Sequence, residues 1–343
     1  GTLAPGGVYE FDVDFTAADG RDYTSQIHID SDDVDEPRVS VELKGSGSED
    51  GVVTDAWTQG DAGPADVLFV IDNSGSMDGE IDNLANTFDV FIRQFVALGL
   101  DYQIGIVTTD MDEPTQSGRI QGPIITNSMP DPAAAFQDAV DLGSEGSGAE
   151  RGQDAAYAAL TAPLIYSENA GLVRVGSNLS VVVITDEDDD SDIRSSDFAA
   201  FLDGYQASPS LSSFSAVAGP TGGFLPCMTL FGGISADPAP RYWDTVQRTG
   251  GIHASICKMD MTAILTDLSY VAAGMATEFV LSYPVTDRSQ IVVEVGGVDI
   301  PYDAGHLNGW DYDETTGILS LFGPAIPLPG NTLTVQYPSA GSC

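Results

Sequence analysis

The sequence predicts an α/β fold: a doubly wound, mostly parallel sheet covered by helices, flanked by a short β segment before it and a β-rich extension after it. Three observations carry that expectation. From Asp66 onward, apolar runs of strand length alternate with stretches in which apolar residues recur at helical spacing, the pattern of successive βα units. Two of those runs, "DVLFVID" (66–72) and "NLSVVVITD" (178–186), are apolar almost throughout, as strands buried on both faces must be. Residues 1–44 and 283–339 instead alternate at period two between turn signals, as strands with one wet face do.

In chain order, "GVYEFDVDFT" (7–16), "DYTSQIHID" (22–30) and "PRVSVELKG" (37–45) each read as a strand. Residues 45–51, "GSGSEDG", are a flexible linker by composition, and "VVTDAWTQ" (52–59) is expected to add an edge strand to the sheet that follows. Ile81, Leu84, Ala85, Phe88, Ile92 and Phe95 mark one face of a helix, and "YQIGIVTTD" (102–110) is a second buried strand. Helices near 132–141 and 150–161 lead to the strand at 178–186. A helix near 195–204, the strand "SSFSAVAGP" (212–220), a helix near 240–249, the strand "GGIHASI" (250–256) and a helix near 261–275 complete the alternation. "QIVVEVGGVDIPY" (290–302), "GILSLFG" (317–323) and "NTLTVQYP" (331–338) return to strands, with Gly296-Gly297 as a hairpin turn.

Composition narrows the function classes. The chain has 343 residues, 42% of them apolar, which suits a folded protein of more than one domain. Its 12 basic residues stand against 52 acidic ones, a formal net charge of −40. Nucleic acid and anionic membrane surfaces are therefore excluded as charge-driven partners. No run reaches the roughly 18 apolar residues of a membrane span. Residues 1–25 lack the cationic start and apolar core of a signal peptide, and the chain is expected to be part of a longer multidomain protein. Of the three cysteines, Cys227 and Cys257 are read as a disulfide across one insertion, with Cys343 odd; the alternative is three thiols.

The chemistry concentrates at strand ends. Asp72-Asn73-Ser74-Gly75-Ser76 ends the first apolar strand, Thr185-Asp186-Glu187-Asp188-Asp189-Asp190 follows a later one, and Asp110 ends "GIVTTD". In an open α/β sheet such ends converge outside the carboxyl edge. Carboxylate and hydroxyl oxygens gathered there suit a hard divalent cation. The plainer reading is that Ser74 and Ser76 cap the following helix, which leaves Asp72 and Asp186 unexplained. The rest of the 186–192 acidic run reads as a solvated loop.

Asp72-x-Ser74-x-Ser76 after an apolar strand, with Asp186 after "VVVIT", resembles the metal-ion-dependent adhesion site of von Willebrand factor type A domains, over residues 66–282. The resemblance implies a Rossmann-like sheet, direct metal contacts from both serines, and aspartates acting largely through water. It also implies an open position for an acidic group on the ligand. The sequence departs from the family at one place: the loop that should supply a threonine, residues 143–160, contains none. Ser147 or Glu150 is expected to replace it, with Asp110 in support. Mg²⁺ is the expected cofactor; a glutamate in that place would move preference toward Ca²⁺ or Mn²⁺.

Upstream, Leu3, Pro5-Gly6, Ile29-Asp30-Ser31-Asp32 and Val41-Glu42-Leu43-Lys44-Gly45 resemble the second half of the choice-of-anchor type immunoglobulin-like domains of bacterial surface proteins. Three strands cannot close a sandwich of about seven, so the missing half is expected elsewhere. The expected division is 1–47, a partial immunoglobulin-like segment; 48–65, a linker; 66–282, the α/β domain; and 283–343, the β extension. No H-E-x-x-H, G-x-S-x-G or P-loop occurs, and no enzymatic activity is expected. The expected function is cation-dependent binding of a protein or glycan ligand presenting a carboxylate, by a secreted or cell-surface protein. The alternative is a structural module in which the cation only stabilises the fold.

Overall fold

The computed structural model describes residues 13, 15, 22–30, 38–46, 51–60, 62–140, 146–221, 227–228, 235–258 and 261–338. Most of the first expected strand, with Leu3, Pro5, Gly6, Ser31, Asp32 and Cys343, lies outside them. Three strands open the chain: β1 (Asp22–Asp30), β2 (Arg38–Ser46) and β3 (Val52–Thr58). The alternating region runs β4 (Ala65–Ile71), α1 (Asp78–Ala97), β5 (Tyr102–Thr108), β6 (Ile125–Thr126), α2 (Pro132–Val140), α3 (Gly152–Leu160) and β7 (Asn178–Ile184). It continues α4 (Ser195–Asp203), β8 (Ser212–Ala218), β9 (Cys227–Met228), β10 (Ser235–Ala236), α5 (Pro240–Thr249), β11 (His253–Ser255) and α6 (Thr262–Ala272). The tail is β12 (Glu278–Val280), β13 (Val292–Val295), β14 (Val298–Ile300), β15 (Gly309–Asp313), β16 (Ile318–Phe322) and β17 (Thr332–Pro338).

A six-stranded sheet of order β11-β8-β7-β4-β5-β6 forms the centre. Its pairings are parallel except at β6, which runs antiparallel along β5. Every residue of β4 is buried, because β4 sits between β5 and β7 with helices on both faces. Its period of two divides the core: Val67, Phe69 and Ile71 join one apolar cluster, Leu68 and Val70 the other. Phe69 meets Phe88, Phe91 and Phe136 edge to face, at centroid distances of 5.5–5.7 Å. The one acidic side chain on this strand, Asp66, is fully buried and paired with Arg174 at 2.6 Å and with the Ser177 hydroxyl at 2.5 Å. A buried carboxylate is tolerated only with such partners.

Two further sheets, β12-β16-β15 and β14-β13-β17-β3, stand beside it. The expectation for residues 52–59 changes here. They form β3, but β3 pairs with β17 rather than with the sheet that follows, in register from Val52↔Pro338 to Thr58↔Thr332. Side chains fix that choice. Asp55 accepts the Tyr337 hydroxyl at 2.5 Å and the Ser282 hydroxyl at 2.7 Å, while Gln59 donates to Ala276 O and Pro327 O at 3.0 and 3.2 Å. The expected hairpin at Gly296-Gly297 is present, with φ of 59° and 79°, values that glycine adopts without strain. Upstream, β1 and β2 form a two-stranded antiparallel ribbon. Cys227 and Cys257 form the expected disulfide. Among the described residues no helix is long and apolar enough to cross a membrane.

Candidate metal centre

Three parallel strands deliver polar residues to one edge. Asp72 follows β4, Thr109 and Asp110 follow β5, and Thr185 and Asp186 follow β7. Strand order reverses at β4, so this edge is the crevice in which open α/β sheets bind ligands.

Asp72 is fully buried. Its Oδ1 accepts the Ser74 N–H at 2.8 Å and its Oδ2 accepts the Thr185 hydroxyl at 2.7 Å. The serines do not act as helix caps: the cap position of α1 is Met77, with no side-chain cap. Instead the Ser74 and Ser76 hydroxyls lie 3.0 Å apart, and Ser76 donates to Asp186 Oδ1 at 3.2 Å. The two halves of the expected motif, 110 residues apart in sequence, are thus joined by a side-chain hydrogen bond.

The loop before α3 crosses the same edge. The Gly146 N–H donates to Asn73 O at 3.0 Å, the Arg151 N–H to Thr109 O at 3.2 Å, and the Asp190 N–H to Glu150 O at 2.7 Å. A Cβ on Gly146 would meet the Asn73 side chain and lie 2.8 Å from its carbonyl oxygen, so the close approach needs glycine. The loop sets Glu150, 1% exposed, against Asp72. The Thr109 hydroxyl donates to Glu150 Oε2, while Oε1 is buried without a hydrogen-bond partner. Burial, then the Asp72 charge, pushes the Glu150 carboxyl up to about 8, with the Thr109 hydroxyl opposing. Glu187 is raised as well, first by burial and then by Asp72, Asp237 and Asp190.

Ser147 and Asp110 form a neighbouring network. Asp110 accepts the N–H groups of Asp112, Glu113 and Ser147 at 2.8, 3.0 and 3.1 Å. The Ser147 hydroxyl donates to Asp112 Oδ2 at 3.0 Å. Of the two candidates for the absent threonine's place, Glu150 is the one set against Asp72. The sequence reading missed Thr109 and named Thr185 only as part of an oxygen-rich strand end; each precedes a strand-end aspartate and donates its hydroxyl to a carboxylate of the site. "TTD" and "ITD" were the available signals.

The acidic run after Asp186 is ordered by Arg241. Its guanidinium donates to the carbonyls of Asp189, Ser191 and Ile193 at 2.7–2.8 Å and pairs with the buried Asp189 at 3.2 Å. Asp188 accepts the Arg241 N–H at 3.1 Å.

The donor set suits a hard divalent cation. It comprises carboxylates and hydroxyls, and one buried carboxylate oxygen is left without a protein partner. Among the described residues no group of three or more His, Cys, Asp and Glu that could hold a metal ion is present, so a cation here would depend on the Ser74 and Ser76 hydroxyls together with at most two carboxylates.

No family model and no curated protein matches the chain. Among solved structures it is similar to the pilus adhesin SpaC from Lactobacillus rhamnosus GG, with a TM-score of 0.43 and 12% identity, over 90% of this chain and 44% of that one. It is also similar to proximal thread matrix protein 1 from the mussel byssus, with a TM-score of 0.36 and 15% identity, over 64% of this chain and 48% of that one. The chain spans less than half the length of either, and at these scores neither likeness fixes a fold.

Proposed function

We propose that this chain is a cation-dependent binding module of a secreted or cell-surface protein, with a central domain of the von Willebrand factor type A kind. Ser74, Ser76 and Glu150 would hold the ion, with Asp72 and Asp186 acting largely through water and Asp110 shaping the adjoining loop. The Ser76–Asp186 hydrogen bond carries the reading, since it joins both motif halves at the crevice. Further support comes from the strand order, with its single antiparallel edge strand, and from the buried unpartnered oxygen of Glu150. When bound, a divalent cation would offer a coordination position to an oxygen of a partner molecule.

The chain's own residues do the rest. Thr185 and Ser74 orient Asp72, Thr109 orients Glu150, and the 146–151 loop closes one side of the crevice. Replacing threonine by Glu150 adds a carboxylate, which favours Ca²⁺ or Mn²⁺ over Mg²⁺ because a larger ion accepts more oxygen ligands in looser geometry. We read the site as a binding site on its resemblance to an adhesion motif; the nearby Arg151 and Arg241 are engaged with Asp112 and Asp189. The disulfide and the acidic surface fit an extracellular setting.

Isothermal titration of EDTA-treated protein with Mg²⁺, Ca²⁺ and Mn²⁺ tests the proposal. Wild type should bind one ion in the crevice, Asp72→Ala should lose it, and Ser76→Ala should weaken it at least about tenfold, as loss of a first-sphere oxygen would. Equal binding by wild type and Asp72→Ala would overturn it.

A further inference from the structure

The β extension carries a cleft whose elements contribute nothing to the crevice at β4. We infer that this cleft is a second ligand site, which takes a neutral carbohydrate independently of any cation. It lies between the β13–β14 hairpin and β15, has a volume of about 480 Å³, and its lining includes Arg288, Asp299, Ile300, Tyr302 and Trp310. A concave site of that size, apolar with a few polar groups, suits a small ligand. Trp310 is buried and its Nε1 already donates to Ile300 O at 2.9 Å, so it serves as wall. Tyr302 is 39% exposed and meets Trp310 edge to face, at a centroid distance of 5.4 Å.

Arg288 is held in place at this cleft but not saturated. Its guanidinium lies 4.6 Å from the Tyr302 ring centroid, and Nη1 is 3.5 Å from Asp311 Oδ1. Other ion pairs are closer: Arg174–Asp66, Arg194–Asp197, Arg241–Asp189 and Arg248–Asp244 span 2.6–3.2 Å. Among the described residues Asp311 and Tyr302 are the only charged or aromatic partners of Arg288, which leaves most of its N–H donors to a ligand. Asp311 is fixed from its other side by His306, whose Nε2 lies 2.8 Å from Oδ2. His306 has a φ of 55°, in the left-handed region that few residues other than glycine adopt. Asp303 holds that loop by accepting the N–H groups of Gly305, Leu307 and Asn308 at 2.8–2.9 Å. Constrained backbone of this kind clusters at ligand clamps.

The polar groups select the ligand class. The guanidinium only donates and the Asp299 carboxylate only accepts, so a ligand that spans them must do both. Adjacent sugar hydroxyls do, while the C–H face of the ring packs on Tyr302 and Ile300. An anionic ligand would meet Asp299 and a net charge of −40. A cationic one would find Arg288 already seated on the Tyr302 ring.

The test uses the full chain in EDTA, which empties any cation site, and reads binding by saturation-transfer-difference NMR. The probes are the methyl glycosides of glucose, galactose, mannose and N-acetylglucosamine, with N-acetylalanine methylamide as a peptide probe. At least one glycoside should bind with a dissociation constant on the order of 1 mM, as a ligand of this size does, and the peptide probe should not. Arg288→Met and Tyr302→Ala should each weaken that binding at least about tenfold, as loss of a charge-assisted hydrogen bond or of an aromatic wall would. The Arg288 side chain is about half exposed, so Arg288→Met keeps the fold and covers a Tyr302→Ala chain that fails to fold. Four results would each overturn the inference: no glycoside bound in EDTA, a glycoside bound only after Ca²⁺ is restored, the peptide probe bound as strongly as the glycosides, or glycoside binding unchanged in Arg288→Met or in a folded Tyr302→Ala. The cation site stands or falls separately, on the titrations given above.

Discussion

Glu150 is the residue on which most of the site's behaviour turns. Its folded-state pKa is raised to about 8 from an ordinary 4.5, by burial and then by Asp72. The folded protein therefore holds a proton there that the unfolded chain has released. That contribution to stability is complete below about pH 4.5 and is lost as pH rises through about 8. Asp189 and Asp267, raised to about 6 chiefly by burial, act in the same sense at lower pH. In EDTA, the melting temperature should fall between pH 5 and 8.5; with saturating Ca²⁺ the fall should shrink, because an ion takes the proton's place. A melting temperature flat in EDTA over that range would show that Glu150 is not buried beside Asp72. At Gly146 the expectation is steric: Gly146→Ala forces the 146–151 loop away from Asn73 and should weaken cation binding while leaving the main fold intact by circular dichroism. The approach of Gly146 to Asn73 was not legible in the sequence, since nothing local distinguishes it from the glycines around it.

Among the elements, the strand ends of β4, β5 and β7 and the α3 loop carry the site, and Arg241 on α5 holds the loop after β7. Replacing Arg241 by Met removes the ion-pair partner of the buried Asp189, which keeps only the Gln153 N–H and the Ser191 hydroxyl, and frees three carbonyls. The cost should be about 3 kcal/mol of stability in denaturant titration, a size typical of breaking a buried pair, and a cost below about 0.5 kcal/mol would show that the loop is ordered by something else. The apolar periodicity of β4 and β7 and the Asp72-x-Ser74-x-Ser76 spacing made this edge readable in advance. Residue 150 was readable only as one of two candidates, because the choice between Ser147 and Glu150 depends on how the loop crosses the edge. That crossing is set by hydrogen bonds to Asn73 and Thr109, whose role no period or motif announces. β3 was misplaced for a related reason: its alternation identifies a strand, but its partner is β17, far along the chain, and the choice rests on Asp55, Gln59 and Tyr337.

For the whole molecule, the β extension and the α/β region are one packed body. Leu265 and Leu268 of α6, Phe279, Leu319, Leu321, Leu333 and Val335 belong to the same apolar cluster as Phe69 and Ile71. Asp267 of α6 accepts the Gly323 N–H at 2.7 Å, tying the two regions further. Residues 62–338 should therefore unfold in one cooperative calorimetric transition, and a chain ending at 282 should fail to fold, exposing Phe279 and its neighbours. Two well-separated transitions would contradict this, as would a stable truncated domain. The cation site is the central claim, and anomalous scattering from crystals soaked in Mn²⁺ tests it most directly. The account predicts a peak within coordination distance of the Ser74 and Ser76 hydroxyls and of the Glu150 carboxyl, absent from Asp72→Ala crystals; density there without an anomalous peak, or a peak confined to some other acidic cluster, would contradict it.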